Sequence, residues 1–184
     1  MKYFLVTTVW VLFGSVMVAQ STEKDSYTIQ RLLLFNDKDE ILLEKHPNGW
    51  MTPALRHQEK QSTNQGLYTL ATDFGYEISR PKLAGIFTFI PEYKNQASFR
   101  QYYRAQVIQG RLQIPDGKID AQWFSKEKAL EMMALPDAKI ILAVRDMTRQ
   151  VLNRPEHIWG GSYRLWKEAG KTKYRLSEAF YTME

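Results

Sequence analysis

Apolar positions at Leu67, Leu70, Ala71 and Phe74 recur three and four residues apart, the spacing of one buried stripe on an α-helix. Thr69, Thr72 and Asp73 fall together on the opposite face. Ser62 and Gln65 are spaced as a capping box, which predicts a helix starting at Ser62, and Gly75 predicts its end. Before this helix the period is different. Residues 27–35 and 41–45 are short runs rich in strand formers, and the polar residues 36–40 between them predict a β-hairpin. Residues 46–50 break the pattern, and a loop is expected from there to Gln61.

After the helix, residues 83–90 and 99–110 read as strands, with 111–114 continuing after a turn. Residues 115–125 predict a turn followed by a short strand ending at Trp123 and Phe124. Helices are expected over 126–135 and 137–152, separated by Pro136. The order is strands, helix, strands, helices, which is an α+β pattern. Beyond Pro155 aromatic residues alternate with Arg and Lys. Residues 163–167 and 173–176 are expected to pair as a hairpin-like C-terminal extension, occupying 155–184. That hairpin, with Arg164, Lys167, Lys171, Lys173 and Arg175 beside Tyr163, Trp166 and Tyr174, is expected to cover a sheet edge or to contact a partner.

The N-terminus has a separate pattern. Lys2 precedes the uncharged residues 3–19, and small residues stand at Ala19 and Ser21. This is the layout of a signal peptide over residues 1–21, implying an exported protein, periplasmic or secreted, whose folded part starts near Tyr27. An uncleaved segment would instead anchor the chain to a membrane. The remainder, in a chain with 44% hydrophobic and 24% charged residues, is long enough to bury a core. The absence of cysteine excludes disulfides, thiol nucleophiles and thiolate metal sites. A net charge of +5 comes without a basic helix or a stacking platform, so nucleic acid is not an expected partner.

Several landmarks resemble the Nudix hydrolase family over residues 27–152. Trp50 and Pro53 stand where such proteins carry W-x-x-P-G-G, and residues 119–132, IDAQWFSKEKALEM, resemble the acidic-x-x-W-F-x-x-E-E-L stretch near the end of that fold. The resemblance implies a Nudix-like α/β/α sandwich with a mixed β-sheet. It also implies a helix carrying the signature G-x5-E-x7-R-E-U-x-E-E-x-G-U, where U is aliphatic. Anchored on Gly75, Leu70 matches the first aliphatic position, while Ala54 replaces the opening glycine and Lys60 the first glutamate. Tyr68 and Thr69 replace the Arg-Glu pair, and Thr72 and Asp73 the paired glutamates.

In that family carboxylates on this helix hold Mg²⁺ or Mn²⁺ for attack of water on a phosphoanhydride. Two threonines supply no charge, and Lys60 places a positive charge where the metal would lie. The box therefore reads as degenerate, and three readings stay open: a non-catalytic or weakly active Nudix-like protein, an active hydrolase of a nucleoside diphosphate-X compound using non-standard carboxylates, or an unrelated α+β domain. For the active case Asp73 is the candidate catalytic residue and metal ligand, with Glu59 as a second catalytic candidate. Glu77 and Glu92 are the other available carboxylates. Arg100, Arg104 and Glu92 are candidate contacts for a phosphorylated small molecule, and Mg or Mn is the implied cofactor only if the protein is active.

Overall fold

A computed structural model of the chain describes residues 27–57, 60–135 and 142–183. The expected leader at 1–21 and the candidate Glu59 lie outside those residues, as does the first part of the helix expected over 137–152. Among the described residues no helix is long and apolar enough to cross a membrane.

The first two strands, β1 (Thr28–Phe35) and β2 (Ile41–His46), form the expected hairpin, with Phe35 opposite Ile41. Asn36 builds its turn: the side-chain oxygen accepts from the N–H groups of Lys38 and Glu40, and the amide donates to the Glu40 carboxylate. The expected loop over 46–61 differs from what is observed, because it contains β3 (Gly49–Met51) and β4 (Ala54–Arg56). Three residues are too few to display an alternating pattern; β3 is fixed by pairing with β2, and β4 by pairing with β1.

The central helix α1 (Thr63–Asp73) begins where its cap predicts, Ser62 Oγ accepting from the Gln65 N–H at 3.3 Å. It ends on Gly75, at φ +82°, whose N–H donates to the Thr72 carbonyl at 2.8 Å. A Cβ at Gly75 would come within 2.2 Å of the Arg111 carbonyl. This close approach accounts for a second difference: residues 111–114 are not a strand. Arg111 N–H donates to the Gly75 carbonyl and Gln113 N–H to the Phe74 carbonyl, so this segment's hydrogen bonds close the helix end rather than extend a ladder.

The remaining elements are β5 (Tyr76–Ile78), β6 (Lys82–Pro91), β7 (Ser98–Gly110), β8 (Asp120–Phe124), α2 (Lys126–Met132), α3 (Leu142–Asn153), β9 (Trp159–Glu168) and β10 (Lys171–Thr182). Helix α2 stops three residues short of the expected 135. The main path of the sheet runs β10-β9-β6-β7-β1-β2-β3. β1 runs parallel to β7 and β9 parallel to β6, while the other pairs are antiparallel, so the sheet is mixed. The C-terminal hairpin thus continues the sheet, and Trp159, Tyr163 and Leu165 are buried in its core.

Alternation along β1 sorts the layers. Leu33 and Phe35 face a core shared with Ala129 and Met133 around α2 and Met147 and Val151 of α3. Leu32 and Leu34 face the other way, onto Leu67, Leu70, Ala71 and Phe74 of the α1 segment. The predicted apolar stripe is therefore the face that docks on the sheet, and the architecture is an α/β/α sandwich of the α+β class.

Candidate functional site

Burying one stripe of α1 leaves Thr69, Thr72 and Asp73 exposed. Asp73 and Thr69 line a shallow cleft of about 280 Å³ with Leu55, Arg56 and Gln61. The other candidate carboxylates are elsewhere. Glu77 points outward from β5 and accepts from the Gln109 amide. Glu92 sits in the turn after β6, held by its N–H on the Leu165 carbonyl at 2.8 Å and facing Arg164 at 3.7 Å. Among the described residues no three His, Asp or Glu side chains come together as a metal site would need. A hard divalent cation takes several oxygen ligands, usually with two or more carboxylates. Here one carboxylate, one hydroxyl and an amide share the cleft with a guanidinium. The described side chains do not fit a Mg²⁺ or Mn²⁺ centre.

Across the sheet the chemistry is different. A cleft of about 380 Å³ is lined by Tyr27, Arg31, Arg56 and Arg100 together with Glu44 and His46. Arg31 enters from the middle of β1, where alternation points it toward the α3 side, and only 7% of it is exposed. Its Nη1 donates to the Thr52 carbonyl at 3.1 Å and to Thr52 Oγ1 at 3.3 Å, but its Nε has no partner. Burial pushes the Arg31 guanidinium below its ordinary value; Tyr102 and Glu44 counter that, and Arg100 adds to it.

Arg100, 8% exposed, donates from Nη1 to the Phe99 carbonyl and from Nη2 to the Tyr27 hydroxyl at 3.2 Å. The Tyr27 ring has the Arg56 guanidinium 4.8 Å and the Arg100 guanidinium 5.1 Å from its centroid, with Lys94 at 5.8 Å. Burial alone would raise the Tyr27 phenol, but the charge and hydrogen bond of Arg100, helped by Ser98 and Lys94, carry it below its ordinary value. None of Arg31, Arg56 and Arg100 forms a salt bridge with a carboxylate among the described residues. Glu44, 1% exposed, is already engaged: Oε1 meets His46 Nε2 and Oε2 meets Lys118 Nζ, each at 2.8 Å. The cleft therefore carries an excess of positive charge beside an apolar wall of Ile29, Met51, Phe89 and Val144.

Of the residues singled out from the sequence, Arg100 belongs to this cleft. Arg104 opens into another, at the opposite end of β7. Arg31 and Glu44 were missed, although a signal was present: each is a charge set inside a strand-forming apolar run, QRLLLF and ILLEK. A buried charge in such a place is costly and is retained where it has a task.

No family model matches the chain, and no curated protein does either. Solved structures do. A mutator MutT protein from Bacillus halodurans superimposes with a TM-score of 0.64 at 19% identity, covering 82% of this chain and 97% of that one. The chain has the Nudix fold. A NUDIX hydrolase from Nitrosomonas europaea gives a TM-score of 0.56 at 19% identity, covering 71% of this chain and 90% of that one. An ADP-ribose pyrophosphatase from Streptococcus suis gives 0.52 at 18%, covering 77% and 98%. In this Nudix fold α1 occupies the segment that the resemblance assigns to the signature helix, and Thr69, Thr72 and Asp73 are on its solvent face.

Proposed function

We propose that this Nudix-fold protein binds a small phosphorylated molecule in the cleft of Arg31, Arg56 and Arg100 and hydrolyses it weakly or not at all. The observation that carries the reading is Arg31: a guanidinium buried in the sheet, whose Nε has no hydrogen-bond partner and which forms no salt bridge among the described residues, offers a site to an anion. Arg56 lines both this cleft and the shallow one beside Asp73, so a bound phosphate chain would reach from the arginines toward the α1 face. The apolar wall suits a phosphate joined to an aromatic or hydrocarbon body. Two structures with this fold are named for substrates of that kind, an ADP-ribose pyrophosphatase and a UDP-X diphosphatase. The weak donor set around Asp73 favours binding over turnover. Export from the cytoplasm belongs to the same reading and is tested by N-terminal sequencing of the mature protein.

The test pairs calorimetry with product analysis. ADP, ADP-ribose, a UDP-sugar and inorganic pyrophosphate are titrated, and phosphate and nucleoside monophosphate release is followed with Mg²⁺ and Mn²⁺ present. Saturable binding without turnover is expected. Metal-dependent turnover that disappears in Asp73→Ala would establish the hydrolase instead.

A further inference from the structure

A second cationic cleft, of about 290 Å³, lies at the other end of the sheet from the arginine cleft. Its apolar lining includes buried Phe35, Val151 and Leu152 and exposed Pro155, and its rim carries Arg80, Lys82, Arg104 and Lys126. Lys82 and Arg104 are direct partners across the β6–β7 ladder, so two like charges project side by side from the same face. Such a pair opposes folding rather than helping it. Arg104 is half buried and forms no salt bridge among the described residues, although Glu156 is near enough to act on it. Asp39, the carboxylate lining the cleft, is paired with Lys126. The rim is also held in place: Ser79 Oγ accepts from the Gln106 N–H at 2.9 Å, and Ser79 N–H donates to the Gln106 carbonyl at 2.8 Å.

We propose that this cleft is a second ligand site, separate from the arginine cleft, that takes a phosphate monoester with a small apolar body. Four cations against Asp39 and the nearby Glu156 leave an excess that a dianion matches better than a monoanionic carboxylate. The phosphate sits between Lys82 and Arg104 and removes their repulsion, while the ester's aryl or alkyl group lies on Phe35, Val151 and Leu152. The volume, at the lower end of the range for small-molecule sites, admits a small body and not a dinucleotide.

The probe is phenyl phosphate, with benzoate and inorganic phosphate as controls, titrated by calorimetry and by amide chemical-shift mapping on the full folded chain. Arg31→Met removes the arginine cleft's central cation and weakens the first site. In that background phenyl phosphate is expected to bind one per chain, moving the amides of Ser79, Gln106 and Lys126, and to weaken at least about tenfold in Arg104→Gln and in the more exposed Lys82→Gln. Absence of binding in the Arg31→Met background, or affinity unchanged in both charge variants, overturns the proposal. Benzoate or inorganic phosphate binding as tightly as phenyl phosphate overturns its specificity for a monoester with an apolar body. Shifts confined to the Tyr27 and Arg100 region mean that the ligand enters the first cleft only, and they also overturn it.

Discussion

Arg100 and Arg104 stand four residues apart on one face of β7, yet they open into different clefts, because fully buried Tyr102 occupies the face between them. Tyr102 packs edge-to-face on Phe87, with centroids 5.4 Å apart, and its hydroxyl donates to the Val144 carbonyl at 3.2 Å. This ties β7 to α3 and closes the space between the two arginines. Anionic ligands at the two ends are therefore expected to bind independently.

Arg31→Met separates function from stability. A buried guanidinium that forms no ion pair among the described residues pays a desolvation cost that a thioether of similar length avoids, so the variant is expected to gain about 1 kcal/mol or more. Its affinity for ADP or pyrophosphate should fall at least about tenfold. Urea unfolding and calorimetry read the two effects. A clear loss of stability would show that the Thr52 hydrogen bonds outweigh the desolvation.

Metal should matter little. Titration with Mn²⁺ followed by its paramagnetic signal is expected to reveal no saturable site at millimolar concentration, and Asp73→Ala should leave both that result and the unfolding curve within about 0.5 kcal/mol of the parent. Saturable Mn²⁺ binding abolished by Asp73→Ala would reverse the assignment of this face as a degenerate one.

Tyrosine ionisation gives a pH signature with opposing signs. Tyr27 has a folded value below the ordinary 10.0, so its contribution is present above that value and lost as pH falls through the folded one. For Tyr102, Tyr103, Tyr163 and Tyr174 burial raises the phenol, so their contribution is complete below pH 10 and lost as pH rises through their folded values. Four outweigh one, and the fold is expected to weaken in alkali. Absorbance at ~295 nm should show one early tyrosinate step that vanishes in Tyr27→Phe. Anion affinity should drop across the same step, because a phenolate beside Arg100 competes for its charge.

The C-terminal hairpin should be indispensable to the fold. Tyr163 is 4% exposed and makes edge contacts with Phe89 at 6.0 Å and Tyr174 at 6.1 Å. Tyr163→Ala is expected to cost about 3–5 kcal/mol by the cavity it leaves. Deleting the residues after Pro155 would strip β9 from β6 and expose that core, so cooperative unfolding should be lost in thermal melts. A truncated chain that melts cooperatively would mark the hairpin as an appendage.

Much of this was legible one segment at a time. The stripe of Leu67, Leu70, Ala71 and Phe74, the Ser62 cap, the closing Gly75 and the hairpin turn at Asn36 are short-range features, written by helical spacing, side-chain-to-backbone hydrogen bonds and a left-handed conformation that glycine adopts more readily than other residues. The same local reading located the polar face with its single carboxylate, Asp73. What it could not supply was the partner of each strand. β3 and β4 are strands only because β2 and β1 lie beside them, and residues 111–114 lost their ladder to the end of α1.

The site depended on the same long-range choice. Parallel pairing of β1 with β7 sets Ile29 opposite Arg100 and Arg31 opposite Tyr102, which brings two guanidiniums far apart in sequence into one cleft and leaves Arg104 for another. The sequence alone determined the α1 stripe with its cap and closing glycine, the first hairpin and the residue types on the polar face of α1, because spacing and residue type decide those within a few turns of chain. Only tertiary packing decided where the positive charge converges, because register between distant strands is selected by the burial of whole faces rather than by any residue's immediate neighbours.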